Sequence, residues 1–217
     1  MPVKLFLSAL VAAALTAPHS AFAADLKVGI TPDMDSVQVM HDGKKTVIQR
    51  NQDANNTVNP AFARTSRECP PFCIQPVTLA PGVETIAELE MLDYLTKIRA
   101  GDSSIMVIDS RTPDWVERGT IPGSVNIPWT KLNVAKSDPF TIADIMEKRF
   151  GATPQEGLWD FSNARTLVLF CNGMWCGQSP NNIKSLLRFG YPADKIKWYR
   201  GGMQDWEVLG LSTVKSK

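Results

Sequence analysis

Histidine is scarce in this chain, and its scarcity argues against several kinds of active site. Only two of the 217 residues are histidine, His19 and His41. His41 lies in the polar stretch 40–43, which predicts a solvated loop residue. With no other histidine beyond the first few dozen residues, Cys–His and Ser–His–Asp catalysis are not expected.

An excess of charge of one sign is also missing. The chain has 23 Lys and Arg residues against 22 Asp and Glu residues, a net charge of +1. Such a balance argues against nucleic acid or an anionic surface as the main partner. Small molecules and other proteins remain as partners.

Long apolar segments are missing too. The most apolar segment, residues 5–15, has 11 residues, well short of the ~20 needed to span a bilayer. It follows Lys4, and Ala21-Phe22-Ala23 comes after it, which is the order typical of a secretory signal peptide. We therefore expect residues 1–23 to be removed on export to the periplasm. The mature chain is expected to contain no membrane span.

The rest of the chain divides into two parts. Residues 24–80 are largely irregular, with short β-like runs such as 45–49, and are predicted to form an extension that packs on the main domain. Residues 81–217 alternate helical patterns with short apolar strands, the clearest of them at 166–170. This alternation predicts an α/β domain with a central, mostly parallel sheet flanked by helices.

Polar residues before the helical patterns indicate where helices begin. Thr85 and Glu88 fit a capping box, and Thr141 fits a helix cap. Ser179 fits an N-cap, with Pro180 as the first helical residue.

The predicted strand at 166–170 ends directly at Cys171, and a helix is predicted shortly afterwards. Backbone N–H groups of the intervening loop and the positive end of the helix are expected to converge on the sulfur and lower its pKa. Such a loop also forms a concave site for an anion or a persulfide. Its residues are Asn172, Gly173, Met174, Trp175, Cys176, Gly177, Gln178 and Ser179. A small buried thiol that merely packs is the alternative.

The remaining cysteines leave several interpretations open. Cys176 lies in the same loop as Cys171, where it either acts as a resolving thiol, closes a disulfide or only packs. Cys69 and Cys73 are expected to form a structural disulfide or an accessory redox pair. Their Cys-x₃-Cys spacing matches zinc sites poorly, so neither a metal nor another cofactor is predicted.

Three motifs, in order, resemble those of the rhodanese-like family over residues 82–217. The first is Ile-Asp-Ser-Arg at 108–111 with Gly-Thr-Ile-Pro-Gly-Ser-Val-Asn-Ile-Pro at 119–128. The second is Phe170-Cys171 with the helix that ends near residue 191. The third is the Gly-Gly-x-x-x-Trp pattern at 201–206.

The resemblance implies a rhodanese-like fold and a sulfurtransferase activity. Cys171 would attack the outer sulfur of a donor such as thiosulfate, become a persulfide, and pass the sulfur to a thiol or protein acceptor. This chemistry needs a thiolate and little proton transfer, so the lack of histidine is no obstacle. Asp109 and Arg111 are expected either to order the surroundings of the site or to form a surface ion pair.

The chain departs from the family pattern in the active-site loop. The loop is two residues longer than usual, and Gln178 lies where many members carry an arginine. Thr120 lies where a histidine is common. A phosphatase is disfavoured, because Gly177 occupies the place of the arginine that grips an oxyanion.

Three functions follow from these residues. The first is a periplasmic sulfurtransferase or persulfide carrier that uses Cys171. The second is a dithiol–disulfide redox protein that uses Cys171 and Cys176. The third is a non-catalytic module that binds a protein partner through residues 24–80.

Overall fold

The computed structural model describes residues 28–67 and 73–215. The predicted signal peptide, residues 1–23, lies outside the described residues. The strands are β1 (Ser36–His41), β2 (Lys44–Gln49), β3 (Glu84–Ile86), β4 (Ile105–Asp109), β5 (Val125–Asn126), β6 (Thr153–Gln155), β7 (Leu158–Asp160), β8 (Thr166–Phe170) and β9 (Ile196–Tyr199). The α-helices are α1 (Pro60–Ala63), α2 (Glu88–Arg99), α3 (Pro113–Val116), α4 (Pro139–Asp144), α5 (Gln178–Arg188) and α6 (Gly202–Val208). A π-helical turn continues α4 over Ile145–Arg149, and 3₁₀ turns span Trp129–Lys131 and Ala193–Lys195.

A five-stranded sheet forms the centre of the fold. Its order is β3-β9-β8-β4-β5, and all four neighbouring pairs are parallel. The predicted α/β architecture with a central parallel sheet is therefore confirmed. Asp109 of β4 pairs with Phe170 of β8, so the ends of these two strands, and the residues that follow them, lie side by side.

The two faces of the sheet are covered by different helices. Alternate residues of β8 point to opposite faces, as the pleat of a strand requires. Val168 and Phe170 pack in a cluster with α2 and α6, whereas Leu167 and Leu169 pack in a cluster with α4 and α5. Leu92 and Leu95 of α2 are buried against the sheet, whereas Leu89 is 53% exposed.

The extension contributes a β-hairpin to the core. Strands β1 and β2 pair antiparallel, and Val37, Val39 and Ile48 are buried in the cluster that also contains α2. The prediction that His41 is a solvated loop residue is wrong. His41 ends β1 and is only 9% exposed, and its Nδ1 accepts a hydrogen bond from the Gly123 N–H at 3.1 Å.

Two predicted helix starts differ in the structure. Thr85 lies in β3, and the capping contact of α2 instead joins the Ala87 N–H to the Glu90 carboxylate at 3.0 Å. Helix α4 begins before Thr141, because the Asp138 side chain caps it by accepting from the Thr141 N–H. In both cases an acidic side chain near the true start was the better capping group.

Candidate active site

Cys171 follows the central strand β8 at its carboxyl end. Its side chain is 2% exposed and belongs to the apolar cluster around α2 and α6. The sulfur nevertheless contacts polar atoms, because the Ser179 hydroxyl donates to it at 3.1 Å and its own S–H donates to the Cys176 carbonyl oxygen at 3.5 Å. The loop after β8 therefore folds back over the sulfur.

Ser179 has a different role from the predicted helix cap. Helix α5 has Gly177 at its N-cap position and begins at Gln178, so that Ser179 lies in the first turn and is completely buried. Its hydroxyl donates to the Cys171 sulfur and accepts a hydrogen bond from Trp198 Nε1 at 3.1 Å. The Ser179 side chain thus hydrogen-bonds to the thiol and does not cap the helix.

The surroundings of Cys171 lower its pKa from the ordinary thiol value to about 7. Burial raises this pKa, because it penalises the charged thiolate. Hydrogen bonds outweigh burial: the Cys176 side chain, the Ser179 hydroxyl, and the Ser179 and Gly173 N–H groups each lower the pKa. Ionisation of the Cys171 thiol near neutral pH is therefore easier than that of an ordinary cysteine.

Cys176 has the opposite electrostatic character. Burial raises its pKa well above the ordinary value, and the hydrogen bond to Cys171 and the charge of Cys171 raise it further. Cys176 is 2% exposed. It therefore keeps its proton at neutral pH and stabilises the neighbouring thiolate as a hydrogen-bond donor.

The active-site loop is shaped by main-chain hydrogen bonds within it and at its start. Within it, the Cys176 N–H donates to the Gly173 carbonyl oxygen at 2.9 Å. At its start, the carbonyl oxygens of Cys171 and Asn172 each accept at 3.0 Å from N–H groups in the first turn of α6. Of the predicted loop residues, Gly173 and Ser179 provide the N–H groups that act on the sulfur.

Gly202 makes the close approach between α6 and the loop possible. A Cβ atom at this position would lie 2.3 Å from the Cys171 carbonyl oxygen and 2.8 Å from the Gly173 nitrogen. Its φ of +56° is also one that glycine adopts readily. The second glycine of the Gly-Gly motif is thus required by the loop that holds the thiol.

Asp109 and Arg111 form a buried ion pair beside the loop. Their side chains are 1% and 0% exposed, so the alternative of a surface pair is wrong. The Asp109 carboxylate also accepts from the Thr120 hydroxyl at 2.7 Å. The Arg111 guanidinium donates to the Gly119 carbonyl oxygen at 2.7 Å and to Asn172 Oδ1 at 3.3 Å. The ion pair therefore holds Asn172, the residue after Cys171, through the hydrogen bond from Arg111.

Comparison with protein families identifies the domain that contains this site. The family model described as Rhodanese-like domain matches residues 91–208, which is more than half of the chain. The chain belongs to the rhodanese-like family. No curated protein matches the sequence.

Solved structures similar to the rhodanese-like domain share little sequence with it. The BH2092 protein from Bacillus halodurans is 16% identical, with a TM-score of 0.40, over 62% of this chain and 82% of that one. The human single-domain sulfurtransferase TSTD1 is 21% identical, with a TM-score of 0.36, over 57% of this chain and 95% of that one. A Rhodopseudomonas palustris protein, described as a possible tyrosine phosphatase, is 21% identical, with a TM-score of 0.39, over 61% and 85% of the two chains.

An aromatic cluster joins the extension to the active-site loop of the rhodanese-like domain. It consists of Phe62 from α1, Trp115 from α3 and Trp175 from the loop, with ring centroids 5.9 and 6.3 Å apart. The Arg67 guanidinium lies 3.7 Å from the centre of the Trp175 ring. The three aromatic side chains pack in or against the cluster that contains Cys171, so the extension covers part of the core around the thiol.

Gln204 and Gln75 connect the same parts by hydrogen bonds. Gln204 of α6 accepts from Trp175 Nε1 at 2.6 Å and donates to the Phe62 carbonyl oxygen at 3.2 Å. The Gln75 N–H donates to the Met174 carbonyl oxygen at 2.7 Å. The extension therefore contacts the loop on both sides of residues 68–72, which lie outside the described residues.

A cavity of about 350 Å³ lies between the extension and the loop. Arg64, Arg67, Met174 and Trp175 are among its lining residues, whereas Cys171 is not. A donor in this cavity would be separated from the sulfur by the loop. Because Cys171 is 2% exposed, a reagent from solvent could reach its sulfur only if the residues around it move.

Other predictions are only partly covered by the described residues. Cys73 is disulfide-bonded, but Cys69 lies outside the described residues and their pairing stays a prediction. Cys171 and Cys176 are free thiols. Within residues 28–67 and 73–215, no helix has the length and apolarity to cross a membrane.

Several residues of the site were not predicted from the sequence. Trp198 belongs to none of the three family motifs, and Gln204 lies only within the Gly-Gly-x-x-x-Trp pattern. Arg67 and Phe62 have no local signal in the sequence. Each reaches the site through a contact between residues far apart in the chain. The Gly-Gly-x-x-x-Trp motif was the one available signal, since it includes Gln204.

Proposed function

We propose that the mature chain is a periplasmic sulfurtransferase or persulfide carrier, in which Cys171 accepts a sulfane sulfur and passes it to a thiol acceptor. The observation that carries this proposal is the hydrogen bonding of the Cys171 sulfur. The Ser179 hydroxyl and the N–H groups of Gly173 and Ser179 stabilise its negative charge without a basic side chain.

The reaction has two displacement steps. In the first, the Cys171 thiolate attacks the outer sulfur of a donor such as thiosulfate, an S–S bond forms, and sulfite leaves with the electron pair of the broken bond. In the second, an acceptor thiolate attacks the outer sulfur of the persulfide and the Cys171 thiolate leaves. Neither step needs net proton transfer by the protein, and the same N–H donors serve the thiolate in both.

The proposed partners are a small sulfur donor and a thiol or protein acceptor. The cavity between the extension and the loop supports this choice, because two guanidinium groups, Arg64 and Arg67, lie on its wall. A donor or acceptor that carries negative charge would be attracted there. The extension, residues 24–80, would then form part of the surface that a protein acceptor contacts.

Dithiol–disulfide exchange is the second candidate function. It is favoured by one observation, the contact between the side chains of Cys171 and Cys176. The raised pKa of Cys176 opposes it, because a thiol that keeps its proton attacks a disulfide or persulfide slowly. We therefore place sulfur transfer first.

Intact-mass measurement distinguishes the two functions. The reduced protein is freed of reductant, treated with thiosulfate and compared with the Cys171→Ser and Cys176→Ser variants. Sulfur transfer predicts a gain of one sulfur atom in the wild type and in Cys176→Ser, but not in Cys171→Ser. A loss of two hydrogens that requires both loop cysteines would instead establish the redox function. Absence of any change would favour a non-catalytic binding module.

We also propose export to the periplasm and a disulfide between Cys69 and Cys73. The signal-peptide pattern of residues 1–23 and the disulfide-bonded state of Cys73 support these proposals. Mass analysis of the protein from a periplasmic fraction tests both. A chain that begins at Ala24 and resists alkylation at Cys69 and Cys73 before reduction is the expected result, and an uncleaved cytoplasmic chain would contradict it.

A further inference from the structure

Trp198 is connected to the reactive sulfur through a single hydroxyl group. It lies in β9, next to β8, and is 1% exposed. Its Nε1 lies 3.1 Å from Ser179 Oγ, and this oxygen lies 3.1 Å from the Cys171 sulfur. The three side chains are all buried, so water does not compete for these hydrogen bonds.

The direction of the first of these hydrogen bonds is fixed, because an indole N–H can only donate. The Ser179 oxygen therefore accepts from Trp198, which occupies one of its two lone pairs, and its single hydrogen is donated to the sulfur. A serine hydroxyl without this constraint could rotate and turn a lone pair toward the sulfur, which would destabilise a negative charge there.

We propose that Trp198 is a positioning residue for sulfur transfer: its indole N–H occupies the Ser179 oxygen and directs the Ser179 proton onto the Cys171 sulfur. This inference rests on the proposed function, in which the Cys171 thiolate is the nucleophile. Its physical content, the orientation of one hydroxyl group, is measurable whether or not the protein transfers sulfur.

Among the residues that the structure describes, few other charged or titratable groups lie near this sulfur, and Arg67 of the extension interacts with the charge of Cys176. Cys176, from the loop, contacts it directly. The ion pair of Asp109 and Arg111, from β4 and the residues after it, reaches the loop only through Asn172. The first turn of α5 contributes the N–H and hydroxyl of Ser179. A change at Trp198 should therefore act on the thiolate through Ser179 alone.

The test is a pH titration of the thiolate by its ultraviolet absorbance, with Cys171→Ala subtracted as the reference. In Trp198→Phe the pKa of Cys171 is expected to rise by about half a unit to one unit, and in Ser179→Ala by about one to two units. In the Ser179→Ala background, Trp198→Phe should cause no further shift. A shift that persists in this background would refute the proposal, as would an unchanged pKa in Trp198→Phe.

Trp206→Phe is the matched control. Trp206 is also fully buried and also donates through its indole, but to the Ser212 carbonyl oxygen at 2.9 Å. It should leave the pKa of Cys171 unchanged, and a shift equal to that of Trp198→Phe would show that lost packing is the cause. If Trp198→Phe unfolds, an isosteric tryptophan analogue with sulfur in place of the indole nitrogen keeps the shape, and the same rise in pKa is expected.

Two readouts separate this inference from the proposed function. Intact mass after thiosulfate reports whether wild-type Cys171 takes up sulfur, whereas the titration reports only how its thiolate is stabilised. A shifted titration with no sulfur uptake would refute sulfurtransferase activity and leave the role of Trp198 in place. Normal sulfur uptake with an unshifted titration in Trp198→Phe would refute the inference alone.

Discussion

The buried ion pair of Asp109 and Arg111 allows a quantitative test of what stabilises the candidate site. In Arg111→Ala the Asp109 carboxylate keeps two hydrogen bonds, from the Thr120 hydroxyl and from the main-chain N–H of residue 111. It loses the opposite charge in a place that is 1% exposed. Removing one partner of a buried pair typically costs about 3–5 kcal/mol, because the remaining charge is uncompensated.

We therefore expect Arg111→Ala to lower the free energy of unfolding, measured by urea titration, by about 3–5 kcal/mol. The carbonyl oxygen of Gly119 and the amide oxygen of Asn172 also lose their donor. The loop should then loosen, and sulfur uptake at Cys171 should fall even where the protein remains folded.

Two further variants make this prediction decisive. Lys97→Ala breaks an exposed ion pair with Asp93, of 51% and 56% exposure, and should leave stability unchanged within error. A double variant, Asp109→Asn with Arg111→Met, should be more stable than Arg111→Ala, because no unpaired charge remains. An Arg111→Ala cost below about 1 kcal/mol would refute the reasoning, since that is the range of a solvated surface pair.

Three more predictions concern the loop. Gly202→Ala should abolish sulfur uptake in the thiosulfate mass assay, because the added Cβ would collide with the Cys171 carbonyl oxygen. Its control is Gly101→Ala, which is also at positive φ but has no atom within 4 Å and should retain uptake. Equal uptake by the two variants would contradict the predicted collision. The initial rate of sulfur loading should rise with pH through about 7 and then level off, since the thiolate forms above this pKa; a midpoint near that of an ordinary thiol would contradict it. Gln204→Ala should speed iodoacetamide alkylation of Cys171 about five- to tenfold, because the loss of one hydrogen bond of about 1 kcal/mol frees Trp175. The control is Gln155→Ala, at an exposed position. An unchanged alkylation rate in Gln204→Ala would show that Gln204 does not hold the loop.

The sheet and the position of the thiol could be predicted because their signals are local. The run at 166–170 is apolar and β-prone, and the residue after it is a cysteine, so one short segment specifies both the strand and the sulfur. The family motifs fix the order of the remaining elements. The resulting prediction of a parallel α/β sheet agrees with the structure.

The errors arose where tertiary contacts decide. Ser179 has the side chain of an ordinary N-cap, but burial beside Cys171 gives its hydroxyl a different partner. His41 looks solvated among its sequence neighbours, yet a bond to Gly123, which is 82 residues away, holds it at the edge of the core. Arg67 reaches Trp175 from a segment without regular structure. Such contacts leave no periodic pattern in the sequence.

The hairpin of β1 and β2 affects how the chain can be divided. Val39 packs close to Gly123 and α2, and the Asn51 N–H donates to the Gly210 carbonyl oxygen at 2.7 Å, near the other end of the described chain. A fragment that starts at residue 81 would leave α2 without the apolar residues of the hairpin and would expose apolar surface to solvent. Such a fragment is a candidate for aggregation, so assays of catalysis are best made on a chain that keeps its first hairpin.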